Sequence, residues 1–196
     1  MRIFGVILAG GAGRRMGGAD KAALILGGQK LIDICAARLE PQVEQMAISA
    51  NGDMGRFSGP WPVLRDTQPL GPLSGILAAL DWGATNGADY IASVAVDTPH
   101  FPCDLVARLR LAQAETAGAA IALAHGTRVH GTFGLWPIRL RGDLAAFLSS
   151  GANPRVLDFA AGYPLAYARF ADEAAFDNIN APQDLARLQA GLRGQI

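Results

Sequence analysis

A glycine-rich segment with three cationic side chains, residues 8–21, is the part of this chain whose composition most directly suggests chemistry. It reads LAGGAGRRMGGADK, and five of the nine residues from Gly10 to Gly18 are glycine. Because glycine has no Cβ, main-chain N–H groups in such a loop can turn towards a bound anion. Arg14, Arg15 and Lys21 add full positive charge to the same loop. A ligand with several negative charges, such as a nucleoside triphosphate, is the partner that this segment predicts.

Two known phosphate-binding motifs resemble this loop but do not match it. The dinucleotide fingerprint G-x-G-x-x-G can start at Gly11 and Gly13, but Met16 then stands at the third glycine position. The P-loop needs Lys and then Ser or Thr after its second glycine, and Ala-Asp follows Gly18 instead. Both mismatches fall on residues that carry the chemistry. A Rossmann dehydrogenase and a P-loop enzyme are therefore disfavoured.

Two carboxylates follow apolar segments that are typical of buried strands. Asp97 comes directly after the largely apolar run 90–96, and Asp66 follows the shorter run 62–65. In open α/β sheets, ligands bind outside the carboxyl ends of the strands. Mg²⁺ commonly takes one or two carboxylates together with phosphate oxygens and water, so we predict that Asp97 is a magnesium ligand. The alternative for either residue is an ordinary Asp in a turn.

The elements that must position these residues are predicted by apolar runs that alternate with amphipathic segments. This alternation indicates a three-layer α/β/α sandwich with a Rossmann-like, mainly parallel mixed sheet, formed by one domain over residues 1–196. The last two predicted strands are expected to pair with each other. Strands are predicted at 2–9, 45–50, 62–65, 90–96, 119–124 and 132–136, and helices at 31–39, 75–82, 105–115, 140–148 and 184–192.

Composition narrows the class of protein. Of the 196 residues 51% are apolar, and 17 Lys and Arg balance 17 Asp and Glu, which excludes a disordered chain and one built to coat nucleic acid. No stretch approaches the roughly 20 apolar residues of a membrane span, and the short apolar run at the N-terminus precedes its arginine pair, unlike a twin-arginine signal. We expect a cytoplasmic protein. Cys35 and Cys103 are expected to be two buried or half-buried thiols, and the three histidines have no metal-ligand spacing.

With one extra residue, the first loop resembles the signature of nucleotidyltransferases with the nucleotide-diphosphosugar transferase fold. Within that group the chain resembles the molybdenum cofactor guanylyltransferases. Further motifs follow in the family's order over nearly the whole chain: Asp66 in R-D-T, Gly71-Pro-Leu-x-Gly75, Asp97-Thr-Pro99, Thr132-Phe-Gly-Leu-Trp136 and Asn178-Ile-Asn180.

The resemblance implies a magnesium-dependent transfer of GMP from GTP to molybdenum-molybdopterin. The terminal phosphate of molybdopterin would attack the α-phosphorus of GTP in line, and pyrophosphate would leave. This phosphate is already a nucleophile, so no catalytic Ser, Cys or His is required, and catalysis rests on position and charge. Lys21 would neutralise the α-phosphate region and Arg15 the pyrophosphate, beside Mg²⁺ on Asp97.

Nucleotide-binding, acceptor-binding and partner roles follow from the same resemblance. GTP and molybdenum-molybdopterin are the expected substrates, with transient contacts to other cofactor-biosynthesis or acceptor proteins. Asn178 and Asn180 would bind the acceptor, and the segment 132–136 would line the same half of the cleft. The nucleotide would contact Leu8, Ala9, Gly10, Gly11, Gly13, Lys21, Ser49, Asn51, Asp66, Gly71 and Asp97.

Alternatives remain open for three residues and for the function. Ser49 stands where many family members carry Asn, so guanine recognition could fall to Asn51, and a cytidylyltransferase of the same pathway or a sugar-1-phosphate nucleotidylyltransferase remains an alternative. A non-catalytic nucleotide-binding regulatory module is the non-enzyme alternative. Asn178 and Asn180 share one face of an extended stretch, but Asn-Ala-Pro is also typical of a helix N-cap, with Asn180 as the cap.

Overall fold

The computed structural model describes residues 1–10, 20–57, 59–66, 70–151 and 154–193. No helix among these residues is long and apolar enough to cross a membrane. In chain order the elements are β1 (Ile3–Leu8), β2 (Ile25–Leu26), β3 (Gln29–Lys30), α1 (Leu31–Leu39), β4 (Gln45–Ser49), β5 (Val63–Leu64), α2 (Pro72–Asn86), β6 (Tyr90–Ala95), α3 (Leu105–Glu115), β7 (Ile121–His125), β8 (Val129–Pro137), α4 (Arg141–Ser149), α5 (Val156–Ala160), β9 (Leu165–Arg169) and α6 (Pro182–Arg193).

Seven of these strands form one sheet in the order β5-β4-β1-β6-β8-β7-β9. The strands β5, β4, β1 and β6 are mutually parallel, and we call them the parallel half. In the mixed half, β8 runs antiparallel to both β6 and β7, and β9 lies parallel to β7. The predicted mainly parallel mixed sheet is confirmed, and so is the pairing of the strands β7 and β8.

Both faces of the sheet are covered, which explains why its central strands are mainly apolar. Ile7 of β1 packs into the core under α1, α3 and α6. Phe4 and Val6 of the same strand point the other way, into the core under α2, α4 and α5. The three-layer α/β/α architecture is therefore confirmed.

Helix α2 approaches the ends of β1 and β4 unusually closely. A Cβ built on Gly75 would lie 2.8 Å from Leu8 Cδ2 and closer still to Ser49 Oγ, so only glycine fits there without a shift. Gly71, the N-cap of α2, has a φ of 96°, a left-handed value that favours glycine. The two glycines of the G-P-L-S-G motif therefore set the first turn of α2 against the carboxyl ends of two strands.

Several elements differ from the prediction. Helix α2 begins at Pro72, which suits a first-turn position, and it runs on to Asn86, beyond the predicted 75–82. The hairpin β2–β3, helix α5 and strand β9 were not predicted. The strands of the hairpin have two residues each, and β9 buries only two alanines. The hairpin and β9 therefore show no clear alternation of large apolar and polar residues. Cys35 is buried as expected, but Cys103 is exposed, because it lies in the turn before α3.

Candidate active site

Predicted site residues collect at the carboxyl ends of the parallel half. Ser49 is the last residue of β4, Asp66 follows β5 by two residues, and Asp97 follows β6 by two residues. These strands are parallel and lie in one sheet, with β1 between β4 and β6, so their carboxyl ends meet at one edge. Leu8 is half-buried and Ala9 buried at the end of β1, and Gly10 is exposed. Gly11, Gly13 and Arg15 lie outside the described residues.

Three residues from distant motifs meet at one point of this edge. Lys21 Nζ donates to Asp97 Oδ2 at 2.7 Å and to Asn180 Oδ1 at 2.8 Å. The Lys21 and Asp97 side chains are only 15% and 21% exposed, so water screens this ion pair less than a surface pair. The contact joins the end of the first loop, the end of β6 and the segment before α6. A positive charge and two oxygen atoms are therefore held together in a sheltered position.

The orientation of Lys21 is set locally by its neighbour. Lys21 begins a short 3-10 helix, Lys21–Ala23, which is capped by Asp20: its Oδ1 accepts from Ala22 N at 3.2 Å. Asp20 Oδ2 also lies 3.2 Å from Arg56 Nε. The sequence did not single out Arg56, which adds another positive charge beside the end of the glycine-rich loop.

A second polar cluster surrounds Asp66. Ser49 Oγ donates to Asp66 Oδ1 at 3.2 Å, and Asn51 Nδ2 donates to Asp66 Oδ2 at 3.4 Å. Asp66 N in turn donates to Asn51 Oδ1 at 3.1 Å. Burial raises the pKa of Asp66, and the bonds from Ser49 and Asn51 oppose that rise. A Cβ on Gly10 would lie 3.7 Å from Asp66 Oδ2, so this carboxylate reaches the start of the glycine-rich loop.

The segment 178–181 is tied to the turn that carries Asp97. Asn178 Oδ1 accepts from Thr98 Oγ1 at 2.6 Å, and Ile179 N donates to Asp97 O at 2.7 Å. The side chains of Asn178 and Asn180 therefore both face the Asp97–Thr98 turn. The bond from Ile179 N holds the main chain of Asp97, and the bond to Asn180 Oδ1 holds the side-chain ammonium of Lys21.

The start of α6 is capped by Asp184. Its Oδ2 accepts from Asn180 N and Ala181 N, both at 2.9 Å. These two bonds hold the pKa of Asp184 below its ordinary value. The side-chain oxygen of Asn180 meanwhile accepts from Lys21, so Asn180 contributes to the Lys21 contact and Asp184 supplies the cap. A carboxylate that caps from the third helical position is a recognisable sequence signal, and the sequence interpretation missed it.

Strand β8 in the mixed half has a different character. Phe133, Leu135 and Trp136 are buried in the core, so the expectation that residues 132–136 line a cleft is wrong for these side chains. In β8 they alternate between the two faces of a covered sheet. Trp136 Nε1 donates to Ser93 Oγ, and Ser93 Oγ donates to Thr132 O, both at 2.8 Å. This part of the motif stabilises the sheet.

A buried histidine lies near the start of β8. His130 is 8% exposed and stacks on Phe176 with ring centroids 4.3 Å apart. Its Nε2 lies 3.2 Å from Glu173 Oε1. Burial lowers the pKa of His130, and the Glu173 carboxylate opposes that shift. The histidine therefore packs as a largely neutral ring beneath the 3-10 helix Glu173–Phe176, which leads into Asn178.

The donor set at this edge is made of oxygen atoms. Among the described residues, no three His, Cys, Asp or Glu side chains lie close enough together to hold a metal ion. Asp97 Oδ2 and Asn180 Oδ1 nevertheless contact one positive charge, the ammonium of Lys21. A hard divalent cation suits such donors when phosphate oxygens and water complete its coordination.

Comparison with known proteins places the chain in a family. The model of the MobA-like NTP transferase domain matches residues 5–165. A molybdenum cofactor guanylyltransferase from Cereibacter sphaeroides is 56% identical over 194 residues, which cover 98% of this chain and 98% of the relative. Another protein of that name, from Mesorhizobium japonicum, is 43% identical over 94% of this chain and 93% of its own length.

Solved structures share the fold. The molybdopterin-guanine dinucleotide biosynthesis protein A from Archaeoglobus fulgidus superposes with a TM-score of 0.79 at 21% identity, over 98% of this chain and all of that chain. The 2-C-methyl-D-erythritol 4-phosphate cytidylyltransferase from Thermus thermophilus gives a TM-score of 0.72 at 19% identity, over 96% of this chain and 98% of that chain. At these identities the likeness concerns the fold alone.

Proposed function

The chain belongs to the MobA-like NTP transferase family, and from that premise we propose that it transfers GMP from GTP to molybdenum-molybdopterin. Relatives named for guanylyl transfer to the molybdenum cofactor align over nearly their whole length with it. The observation that carries the proposal is the meeting of Lys21, Asp97 and Asn180 at one point of the sheet edge. These residues come from three separate motifs, and their convergence supplies charge and oxygen donors where a triphosphate would lie.

Mg²⁺ fits the oxygen donors at this point. We assign Asp97 as the Mg²⁺ ligand and Asn180 Oδ1 as a second oxygen donor, since both already contact one cation. Bound there, the metal would neutralise charge on the phosphates and orient them. Lys21 would then pair with the α-phosphate of the nucleotide.

Bond making and breaking need no nucleophile from the protein. A terminal phosphate oxygen of molybdopterin forms a bond to the α-phosphorus of GTP, and the bond from that phosphorus to the β-phosphate bridging oxygen breaks. Pyrophosphate leaves, and molybdopterin guanine dinucleotide remains. Lys21 neutralises charge that develops on the α-phosphate, and Arg15 neutralises the pyrophosphate. Fixed charges of this kind typically contribute a few kcal/mol each to the transition state.

The nucleotide itself is proposed to lie along the carboxyl ends of the parallel half. Main-chain groups of Leu8, Ala9, Gly10, Gly11 and Gly13 would hold the phosphates. The Asp66 carboxylate, with Ser49 and Asn51 bonded to it, offers an acceptor for N–H or O–H groups of the base or ribose. Gly71 at the start of α2 would contribute a backbone contact at a helix N-terminus.

The acceptor is proposed to approach from the side of the 178–181 segment. Asn180 is the residue of that segment closest to the reacting phosphates in this arrangement, because it contacts Lys21. Transient contacts with other proteins of cofactor biosynthesis would follow from delivery of the product. A cytidylyltransferase of the same pathway is the second candidate, because Ser49 bonds to Asp66 where an asparagine amide would otherwise stand.

One assay tests the proposed function. Pyrophosphate release is measured with GTP and with CTP, each with and without molybdenum-molybdopterin and with and without Mg²⁺. We expect release only with GTP, acceptor and Mg²⁺ together. Release with CTP in place of GTP would support the cytidylyltransferase, and binding of nucleotide without release under any condition would support the regulatory module.

A further inference from the structure

A buried hydroxyl links the Asp97 turn to the segment before α6. Thr98 is 0% exposed, and its Oγ1 donates to Asn178 Oδ1 at 2.6 Å. A buried hydroxyl that loses its partner carries the full cost of desolvation, so this pairing is strongly specified. Thr98 N also donates to Ala95 O at 3.2 Å, which fixes the turn to the end of β6.

The Thr98–Asn178 bond is one side of a closed ring of contacts. Lys21 bonds to Asp97 and to Asn180, and the main chain joins Asp97 to Thr98. The main chain from Asn178 through Ile179 to Asn180 completes the ring. Ile179 N–H also donates to Asp97 O at 2.7 Å. Every member of the ring is therefore held from two directions. Removing the Thr98 hydroxyl breaks the Thr98–Asn178 side of the ring without touching Lys21, Asp97 or Asn180. Among the described residues, only the main-chain bond from Ile179 to Asp97 then ties the 178–181 segment directly to this turn.

We propose that Asn178 is a positioning residue. It acts through Thr98 to hold the side-chain oxygens of Asp97 and Asn180 so that both contact one cation, either the Lys21 ammonium or the proposed Mg²⁺. This inference rests on the proposed function. It differs from the role implied by family resemblance, in which Asn178 contacts the acceptor. The side-chain oxygen of Asn178 is used inside the protein, by a threonine that is itself inaccessible.

The two roles predict different kinetics. A positioning residue acts on the geometry of the reacting groups, and a misplacement near 1 Å can cost about 100-fold in rate. An acceptor contact acts on binding, so its removal raises the KM for the acceptor, and Thr98 would then have no effect. Asn178 and Thr98 should instead behave as one unit, in which the second substitution adds little to the first.

The test is a double-mutant cycle of Thr98→Val and Asn178→Ala, with Thr98→Ser as the conservative rescue. Readouts are kcat, KM for GTP, KM for molybdopterin and the Mg²⁺ concentration for half-maximal GTP binding. Matched controls are Thr85→Val and Asn86→Ala, since these side chains bond to main-chain oxygens on α2, at 3.0 Å and 2.7 Å. Thermal unfolding of each variant separates misfolding from mispositioning.

We expect Thr98→Val and Asn178→Ala each to lower kcat roughly 10- to 100-fold and to raise the half-saturating Mg²⁺ concentration. The double variant should match the single variants, and Thr98→Ser should stay near wild type. Wild-type kcat in Thr98→Val, additive losses, or a raised acceptor KM in Asn178→Ala alone would each overturn the positioning role. If the wild-type chain binds GTP but transfers nothing, the proposed function fails, and the Mg²⁺ dependence of GTP binding in the same variants still decides the role of Asn178.

Discussion

The two halves of the sheet have different kinds of side chain near the same edge. In the parallel half, polar residues stand at the carboxyl ends of three strands: Ser49 ends β4, and Asp66 and Asp97 follow β5 and β6 by two residues each. In the mixed half, aromatic rings pack together near the same edge, with His130 stacked on Phe176 and Phe133 edge-on to both. The segment 178–181, which lies far along the chain from β6, brings the polar side chains of Asn178 and Asn180 to this edge. Chemistry is thus concentrated on one half, and the other half supports the segment that completes it.

This difference separates two kinds of substitution. Changes at strand ends of the parallel half should act on turnover or nucleotide binding. Changes among the rings of the mixed half should act on stability, with activity affected only through the position of residues 178–181. The following predictions test that division, beginning with the largest effect.

Asp97→Asn should lower kcat roughly 100- to 1000-fold, because it removes the carboxylate assigned to the metal while it preserves the shape of the side chain. The fold should persist, as judged by circular dichroism and the unfolding temperature. Asp81→Asn is the matched control, since Asp81 is an exposed carboxylate on α2 that pairs with Arg141. Near-wild-type turnover in Asp97→Asn would remove the basis for the metal assignment.

Gly75→Ala should lower the free energy of unfolding by about 1–3 kcal/mol, because the new methyl group overlaps Ser49 and Leu8 where α2 meets the sheet. GTP binding should weaken as well, since Ser49 would be displaced from Asp66. Gly142→Ala in α4 is the control: a Cβ there meets nothing within 4 Å, and alanine favours the helix. Equal stability changes for the two variants in urea unfolding would contradict the close packing of α2.

Asp66→Asn should raise the KM for GTP about tenfold with kcat little changed, which corresponds to the loss of one charged hydrogen bond. Ser49→Ala should have a smaller effect in the same direction, because it removes only one bond to Asp66. Ser49→Asn compares the amide of many family members with the hydroxyl present here, measured as the ratio of kcat/KM for GTP to that for CTP. A KM unchanged in Asp66→Asn would place the nucleotide elsewhere.

Substitution of His130 should have the smallest effect of the series, and that effect should be on stability alone. Burial places its folded-state pKa below the ordinary value of 6.5, so the unfolded chain binds more protons between those two values. Stability is therefore lost as pH falls from 6.5 towards the folded-state pKa, and Glu173, Arg128 and His125 are the titratable or charged groups beside the ring. His130→Gln should flatten this slope in urea unfolding between about pH 7 and 5. A slope unchanged by the substitution would show that His130 is not its source.

The division between the halves also explains what the sequence could predict. The position of Lys21, Asp66 and Asp97 at this edge was predictable, because each lies just after a strand or in a compact motif, and strand ends are where an open sheet binds ligands. The roles of Thr98 and Asp184 were not inferred, although the spacing Ala181-Pro-Gln-Asp184 carries a capping signal. Contacts between residues 98 and 178, or 21 and 180, depend on how the last segment returns to the sheet, and no local pattern encodes that return.

The fold shows the same limit. Strands β1 and β6 were predictable because burial on both faces leaves them almost wholly apolar. Strand β9 was missed because its inward residues are Ala166 and Ala168, too small to give a clear alternation. The residues 132–136 were assigned to a cleft by resemblance, whereas their large side chains fill the interior.

The central claim is that this edge transfers a guanylyl group, with Lys21, Asp97 and Asn180 at the reacting phosphates. The most direct measurement follows the label from [α-³²P]GTP and, in parallel, from [γ-³²P]GTP during incubation with molybdenum-molybdopterin and Mg²⁺. The account predicts that the α label enters the pterin product, that the γ label appears in pyrophosphate, and that Asp97→Asn shows neither. Release of the γ label as inorganic phosphate, or an acceptor that stays unlabelled with the wild-type protein, would contradict it.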